Sequence, residues 1–135
     1  MTRQPLEALF ALAAVALLAV TIAFALGELG NGHATHAPQP VGDFVARAGS
    51  AGPAAFGHRT ACGGVLKPDT YGIAHPTLPC GARIFIDFNG LRVLTQVVDR
   101  GPYEPGRQFD VTDALARKLG LDGVKPVHWS YAQAG

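Results

Sequence analysis

Several features are scarce or missing in this chain of 135 residues, and each absence excludes something. No stretch concentrates lysine and arginine, and the formal net charge is only +1. A protein that tracks a phosphate backbone carries a basic stripe, so nucleic acid is not an expected partner. Cysteine is limited to Cys62 and Cys80, and the two do not form a CxxC redox pair. No histidine stands at ligand spacing beside them, which argues against a zinc site. No internal repeat is visible, so repeat arrays drop out. The length leaves room for one modest domain and not for two. Nothing in the sequence calls for a metal or a cofactor.

What is abundant is apolar residues, at 48%, and much of that excess is local. From Leu6 to Leu26 the chain carries one acid, Glu7, at the edge and one hydroxyl, Thr21, inside. About 20 apolar residues span a bilayer as a helix. Arg3 precedes the run and no basic residue follows until Arg47, which puts the remainder outside the cytoplasm. Residues 1–26 therefore read as a membrane anchor or a cleaved signal peptide, and Ala23-Phe24-Ala25 keeps the second reading open. No cysteine follows the run, which excludes lipid attachment there. In an oxidising compartment Cys62 and Cys80 are most simply a disulfide. Residues 27–47, rich in Gly, Pro, Ala and His, read as a linker, with His33 and His36 as solvated side chains.

Beyond residue 48 the pattern is one of short strands and turns. ARIFIDF and LRVLTQVV flank Asn89-Gly90, the strongest two-residue hairpin signal. With that pair as the loop, Phe88 faces Leu91, Ile86 faces Val93 and Ile84 faces Thr95, giving one apolar face. On the other face Asp87 lies opposite Arg92, a favourable cross-strand pair. The same register puts Val97 and Asp99 on the apolar face, Arg100 on the other, and Cys80 across from Asp99. Asp99 is then a carboxylate at the rim of the core, just ahead of the turn at Gly101-Pro102. FDVTDALARKLGL predicts a helix capped by Thr112 or Asp110 and ended by Gly120. VKPVHWSY reads as a final strand with Val127, Trp129 and Tyr131 alternating. Many short strands with one short helix predict a small β-barrel.

RTACG (59–63), GIAHPTLPCGARI (72–84), VVDRGPY (97–103) and GRQFDVT (106–112), followed by ALARKLG, occur in one order. Together they resemble the double-psi β-barrel of rare lipoprotein A, RlpA, which is related to the first domains of expansins and to barwin. The likeness covers roughly residues 48–131, and the barrel is expected over 48–132. The resemblance implies a mainly β fold, a six-stranded barrel with one short helix and a groove for polysaccharide, preceded by the N-terminal apolar helix. It also implies a cell-envelope protein acting on peptidoglycan, either as a lytic transglycosylase or as an expansin-like module that binds without cleavage.

Carried over by motif, Asp99 is the DRGP aspartate, His75 the histidine of AHxTLP and Asp110 the aspartate of FD[LV][ST]. These three are the expected catalytic group, with Asp99 as acid and then base. Arg100, Tyr103 and Phe56 are expected to touch substrate. Two departures stand out. Gly64 occupies the position where the family carries a glutamate, and residues 50–54 lack its aromatic pair.

Overall fold

The computed structural model describes residues 36–134. The expected anchor or signal segment, 1–26, and the start of the linker lie outside them. Among the described residues no helix is long and apolar enough to cross a membrane.

Six strands and one α-helix make up the described chain. They are β1 (Gln39–Ser50), β2 (Ile73–Ala74), β3 (Arg83–Phe88), β4 (Leu91–Asp99), β5 (Phe109–Val111), α1 (Asp113–Leu119) and β6 (Lys125–Gln133). The strands close into a barrel in the order β1-β5-β2-β4-β3-β6. β1 and β5 run parallel, as do β2 and β4, while the other four pairings are antiparallel.

The hairpin has the register that its turn chemistry dictates. Ile84 pairs with Thr95, Ile86 with Val93 and Phe88 with Leu91. Asn89 and Gly90 both take positive φ, 49° and 77°, as a type I′ turn requires. Asp87 and Arg92 form their cross-strand ion pair at 2.7 Å. The inward row, Ile84, Ile86, Val93 and Val97, joins Ile73, Phe109, Val111, Val127, Leu115 and Leu119 in one core. Each such aliphatic side chain contributes roughly 1.5–3 kcal/mol by leaving water.

Thr112 is the cap of α1: its Oγ1 accepts from the Leu115 amide, and Gly120 ends the helix with φ 67°. Asp110 does not cap the helix, because it lies within β5.

Three boundaries differ from the sequence reading. β1 begins at Gln39, so the barrel takes up residues whose composition reads as linker. Its buried positions are Ala46, Ala48 and Gly49, too small to announce a strand by hydropathy. In β6, Trp129 and Tyr131 alternate as expected, opposite Ile86 and Ile84, but burial does not follow the pattern, since Tyr131 is exposed and Ser130 buried. The neighbouring β1 carries a bulge between Val41 and Phe44. Finally, β3·β4 pairing stops at Gly81 and Ala82, where the chain turns with the Ala82 amide donating to the Pro79 carbonyl at 3.0 Å. Cys80 sits in that turn, outside the ladder, and is joined to Cys62 with Cα atoms 5.6 Å apart.

Candidate functional site

Asp99 ends β4, and Asp110 is the middle residue of β5. Ala74 in β2 pairs with both of them, and Gly49 in β1 pairs with Asp110. Gly49, Asp110, Ala74 and Asp99 thus form one row across four strands. Neighbouring strands lie about 4.8 Å apart, so the backbones of the two aspartates are separated by roughly 10 Å. Alternation from Val97 keeps Asp99 on the buried row of β4, as the hairpin register predicts. The β2·β4 register shifts between the Ile73–Val97 and Ala74–Asp99 pairs, with Val98 as the extra residue of a local bulge beside Asp99. Asp99, Asp110 and Ala74 line one small cavity, which Leu66 and Tyr103 help to close.

Asp99 is 3% exposed, and its carboxylate is fully engaged. Oδ1 accepts the amides of Ala61 and Arg100, both at 2.7 Å. Oδ2 accepts the hydroxyl of Tyr103. Ala61 belongs to the loop that carries Cys62, so the disulfide and the carboxylate hold the same segment from two sides. The peptide between Gly101 and Pro102 is cis, and it leads the chain from Asp99 into Tyr103.

Asp110 is 1% exposed. Its Oδ2 accepts the Tyr103 amide at 2.8 Å, and Arg107 Nε lies 3.0 Å from Oδ1. Burial pushes the Asp110 carboxyl up to about 6, against the opposing pull of the Arg107 guanidinium, with Glu104 adding a smaller upward push. A carboxyl of this kind keeps its proton to a higher pH than an exposed aspartate does. Arg107 itself is almost fully covered, and its Nη1 donates to the Ser50 carbonyl at 2.9 Å. It packs over Gly49, where a Cβ would fall 2.9 Å from Arg107 Cδ, so the glycine makes room for the arginine. Arg107 escaped the sequence reading, although an arginine three residues before Asp110 is a visible cue.

His75 and Arg100 have a different arrangement. The His75 ring accepts, through Nδ1, the amides of Thr77 at 3.2 Å and Leu78 at 3.0 Å. This places the neutral ring's proton on Nε2 and commits the other nitrogen to the turn. Burial, then the nearby Arg100 charge, lowers the imidazole pKa, so the ring stays neutral there. Its link to Asp99 runs through the backbone, the His75 amide donating to the Asp99 carbonyl at 3.1 Å. Arg100 Nη1 donates to the carbonyls of Leu78, at 2.8 Å, and His75, at 3.3 Å. Arg100 therefore clamps the 75–78 corner.

Of the remaining expected residues, Tyr103 is brought to both carboxylates. Phe56 is half-buried at the end of the Pro53–Ala55 turn, and the ring packed on Tyr103 is that of His58, 5.8 Å away. Gly64 is exposed on the loop that hydrogen-bonds Asp99, its amide donating to Thr60 Oγ1 at 3.0 Å. Among the described residues no three potential metal ligands converge.

A closed six-stranded barrel with parallel β1·β5 and β2·β4 pairings is the architecture of the double-psi β-barrel class. The chain belongs to the lytic transglycolase family, whose model matches residues 48–129. It is 38% identical over 79 residues to the endolytic peptidoglycan transglycosylase RlpA of Yersinia pestis, covering 57% of this chain and 22% of that protein. It is 40% identical over 83 residues to the probable endolytic peptidoglycan transglycosylase RlpA of Aquifex aeolicus, covering 58% and 37%. The chain thus corresponds to well under half the length of these relatives. Among solved structures, the Streptomyces papain inhibitor has a TM-score of 0.54 at 21% identity, covering 70% of this chain and 97% of that one. That likeness concerns the fold.

Proposed function

We propose that the protein is a peptidoglycan-acting lytic transglycosylase with Asp99 as its acid and base. One observation carries the choice of Asp99 over Asp110. The Asp99 carboxylate is covered on Oδ2 by an exposed side chain, Tyr103, whereas Asp110 is held by a backbone amide and a buried arginine. Tyr103 can swing away and leave Oδ2 to a glycosidic oxygen. Protonated Asp99 then donates to the leaving oxygen. The resulting carboxylate takes the proton of the sugar's own C6 hydroxyl, which closes an anhydro ring. One carboxylate suffices for this sequence, whereas hydrolysis draws on two at a set separation. Asp110 holds Tyr103 in register from the other end. Arg100 and His75 shape the corner that borders the site, and Phe56 lies at its approach.

The same reading places the protein in the cell envelope, outside the cytoplasm, where a disulfide persists. Residues 6–26 would tether it to the membrane or direct its export.

Gly64 favours a second reading, a non-catalytic wall-binding barrel of the expansin kind, because it leaves the site without the family glutamate. Incubation with purified sacculi separates the two. Anhydro-sugar products released by the wild type and not by Asp99→Asn support the enzyme. Co-sedimentation of both proteins without any release sinks it in favour of the binding module.

A further inference from the structure

We infer a carboxylate-reading subsite on the outer face of the β3·β4 hairpin, built by Arg83, Gln96 and Tyr71 and joined to the Asp99 cavity by an open groove. Arg83 and Gln96 face each other across the hairpin, next to the inward pair Ile84 and Thr95 and pointing the other way. Both are exposed. Tyr71 reaches the same hollow from the loop before β2, and Gly72 fixes its place. A Cβ on Gly72 would fall 2.5 Å from Val98 Cγ1 and 2.9 Å from the Gln96 carbonyl, so the glycine lets this loop lie directly against β4. Thr112 holds Gly72 twice: its Oγ1 accepts the Gly72 amide at 3.1 Å, and its own amide donates to the Gly72 carbonyl at 2.9 Å. Together with Leu94 the three side chains line a hollow of about 240 Å³.

These side chains are uncommitted. Among the described residues Arg83, Gln96 and Tyr71 have no side-chain hydrogen bond or ion pair, whereas Arg47, Arg92, Arg100, Arg107 and Arg117 each engage a carbonyl or a carboxylate. A guanidinium, an amide and a phenol thus bring donors to one hollow with nothing to receive them. No Asp or Glu of the described residues lines this hollow or the groove beside it. An unopposed positive charge among further donors selects an anion, and the planar fork of arginine suits a carboxylate. The groove supplies the rest of the ligand. A second hollow of about 420 Å³, lined by Gly64, Val65 and the Cys62–Cys80 bond, shares Gln96 with the first and Val98 with the Asp99 cavity. Gln96 precedes Asp99 by about 10 Å along β4. A glycan strand held at Asp99 therefore lays its next sugars along the groove and brings an acidic substituent to Arg83. The inference rests on the proposed function for the identity of that polymer. In peptidoglycan the carboxylate has two sources, the lactyl acid of a stripped muramic residue or the stem peptide.

Calorimetry on the full-length protein carrying Asp99→Asn, so that no probe is consumed, compares three tetrasaccharides. One is the neutral N-acetylglucosamine tetramer, one alternates N-acetylglucosamine with N-acetylmuramic acid bearing free lactyl acids, and one is the same alternating tetramer with stem peptides attached. An acidic tetramer should bind roughly tenfold more tightly than the neutral one, by a margin that shrinks with added salt. Tighter binding of the free-acid tetramer assigns the carboxylate to the lactyl group, and tighter binding of the peptide-bearing tetramer alone assigns it to the stem. Arg83→Met should erase the margin and leave the neutral tetramer's affinity unchanged, and Arg83→Lys should keep part of it. Gln96→Ala, with unaltered circular dichroism, should reduce the margin by a smaller factor. Equal affinity for the three tetramers, a margin that survives Arg83→Met, or no saturable binding up to millimolar probe overturns the inference. Release of anhydro sugars from sacculi by the wild type is read separately. Release without an Arg83-dependent margin sinks the subsite and leaves the enzyme; an Arg83-dependent margin without release disproves the enzyme and leaves the subsite.

Discussion

Asp99 and Asp110 lie on one row of the barrel, two strands apart, with Ala74 paired to each of them. Both line one small cavity, and Tyr103 touches both carboxylates, through its hydroxyl and its amide. Their division of labour follows from what covers them.

Asp110 gives the protein a pH-dependent stability. Its folded carboxyl stands at about 6, against an ordinary value of 3.8, so the folded chain holds the proton more tightly. The stability this confers is complete below the unfolded value and is lost as pH rises through about 6. The loss is at most about 3 kcal/mol between about pH 4 and pH 7. Asp110→Asn should flatten that part of the profile, because it no longer titrates. Urea unfolding of both proteins at several pH values measures the difference; parallel profiles would count against burial as the cause.

Tyr103→Phe removes the donor to Asp99 Oδ2 and keeps the amide that Asp110 accepts. A hydrogen bond to a charged acceptor is worth about 1.5–3 kcal/mol, less at an exposed side chain, so a loss near 1 kcal/mol is expected. Thermal unfolding reads that loss. The pH profile of product release from sacculi should move as well, since the group that covers the acid is gone.

Gly64→Glu should fold normally. A Cβ at this position would meet only Thr60 Oγ1, at 3.5 Å, an ordinary contact. Stability should change by no more than about 0.5 kcal/mol. Product release from sacculi should increase, since the substitution returns the carboxylate that the family motif carries there. An active wild type whose rate does not respond would show that this loop position is dispensable.

The bond between Cys62 and Cys80 closes a loop of 18 residues in sequence separation. Replacing both cysteines by serine should cost about 3 kcal/mol in the chain-entropy picture. It should also loosen Ala61 from Asp99, read as faster hydrogen exchange at the Ala61 amide than at Ile86 in the barrel wall. Equal protection at the two would show that the carboxylate holds the loop unaided.

The parts of this fold that could be read from sequence are those with local causes. Asn89-Gly90 sets its own turn and, through it, the whole β3·β4 register. Thr112 and Gly120 mark the ends of α1 by side-chain and backbone chemistry alone. The motif residues Asp99, Asp110 and Tyr103 were nameable in advance and do meet. The hairpin register also puts Asp99 on the buried row, where the structure has it. What surrounds its carboxylate is not accessible in this way, because it depends on the loop that brings the Ala61 amide and on a bulge opposite Ile73 and Ala74, a two-residue strand whose partners are distant in sequence. The engagement of His75 and Arg100 with the 75–78 corner depends on how that corner folds, which no spacing encodes. The composition of 39–47 reads as linker because the inward positions of β1 are alanine and glycine, which fit the room beneath them and carry little hydropathy signal.

The row from Gly49 to Asp99 has a kinetic consequence. Its members come from β1, β5, β2 and β4, and two of the strand pairings that align them are parallel and distant along the chain. Such contacts form only after long loops have closed, which slows folding. A chain in which β1, β5, β2 and β4 have not yet met carries no assembled row, so whatever chemistry the row performs waits for those four strands to come together.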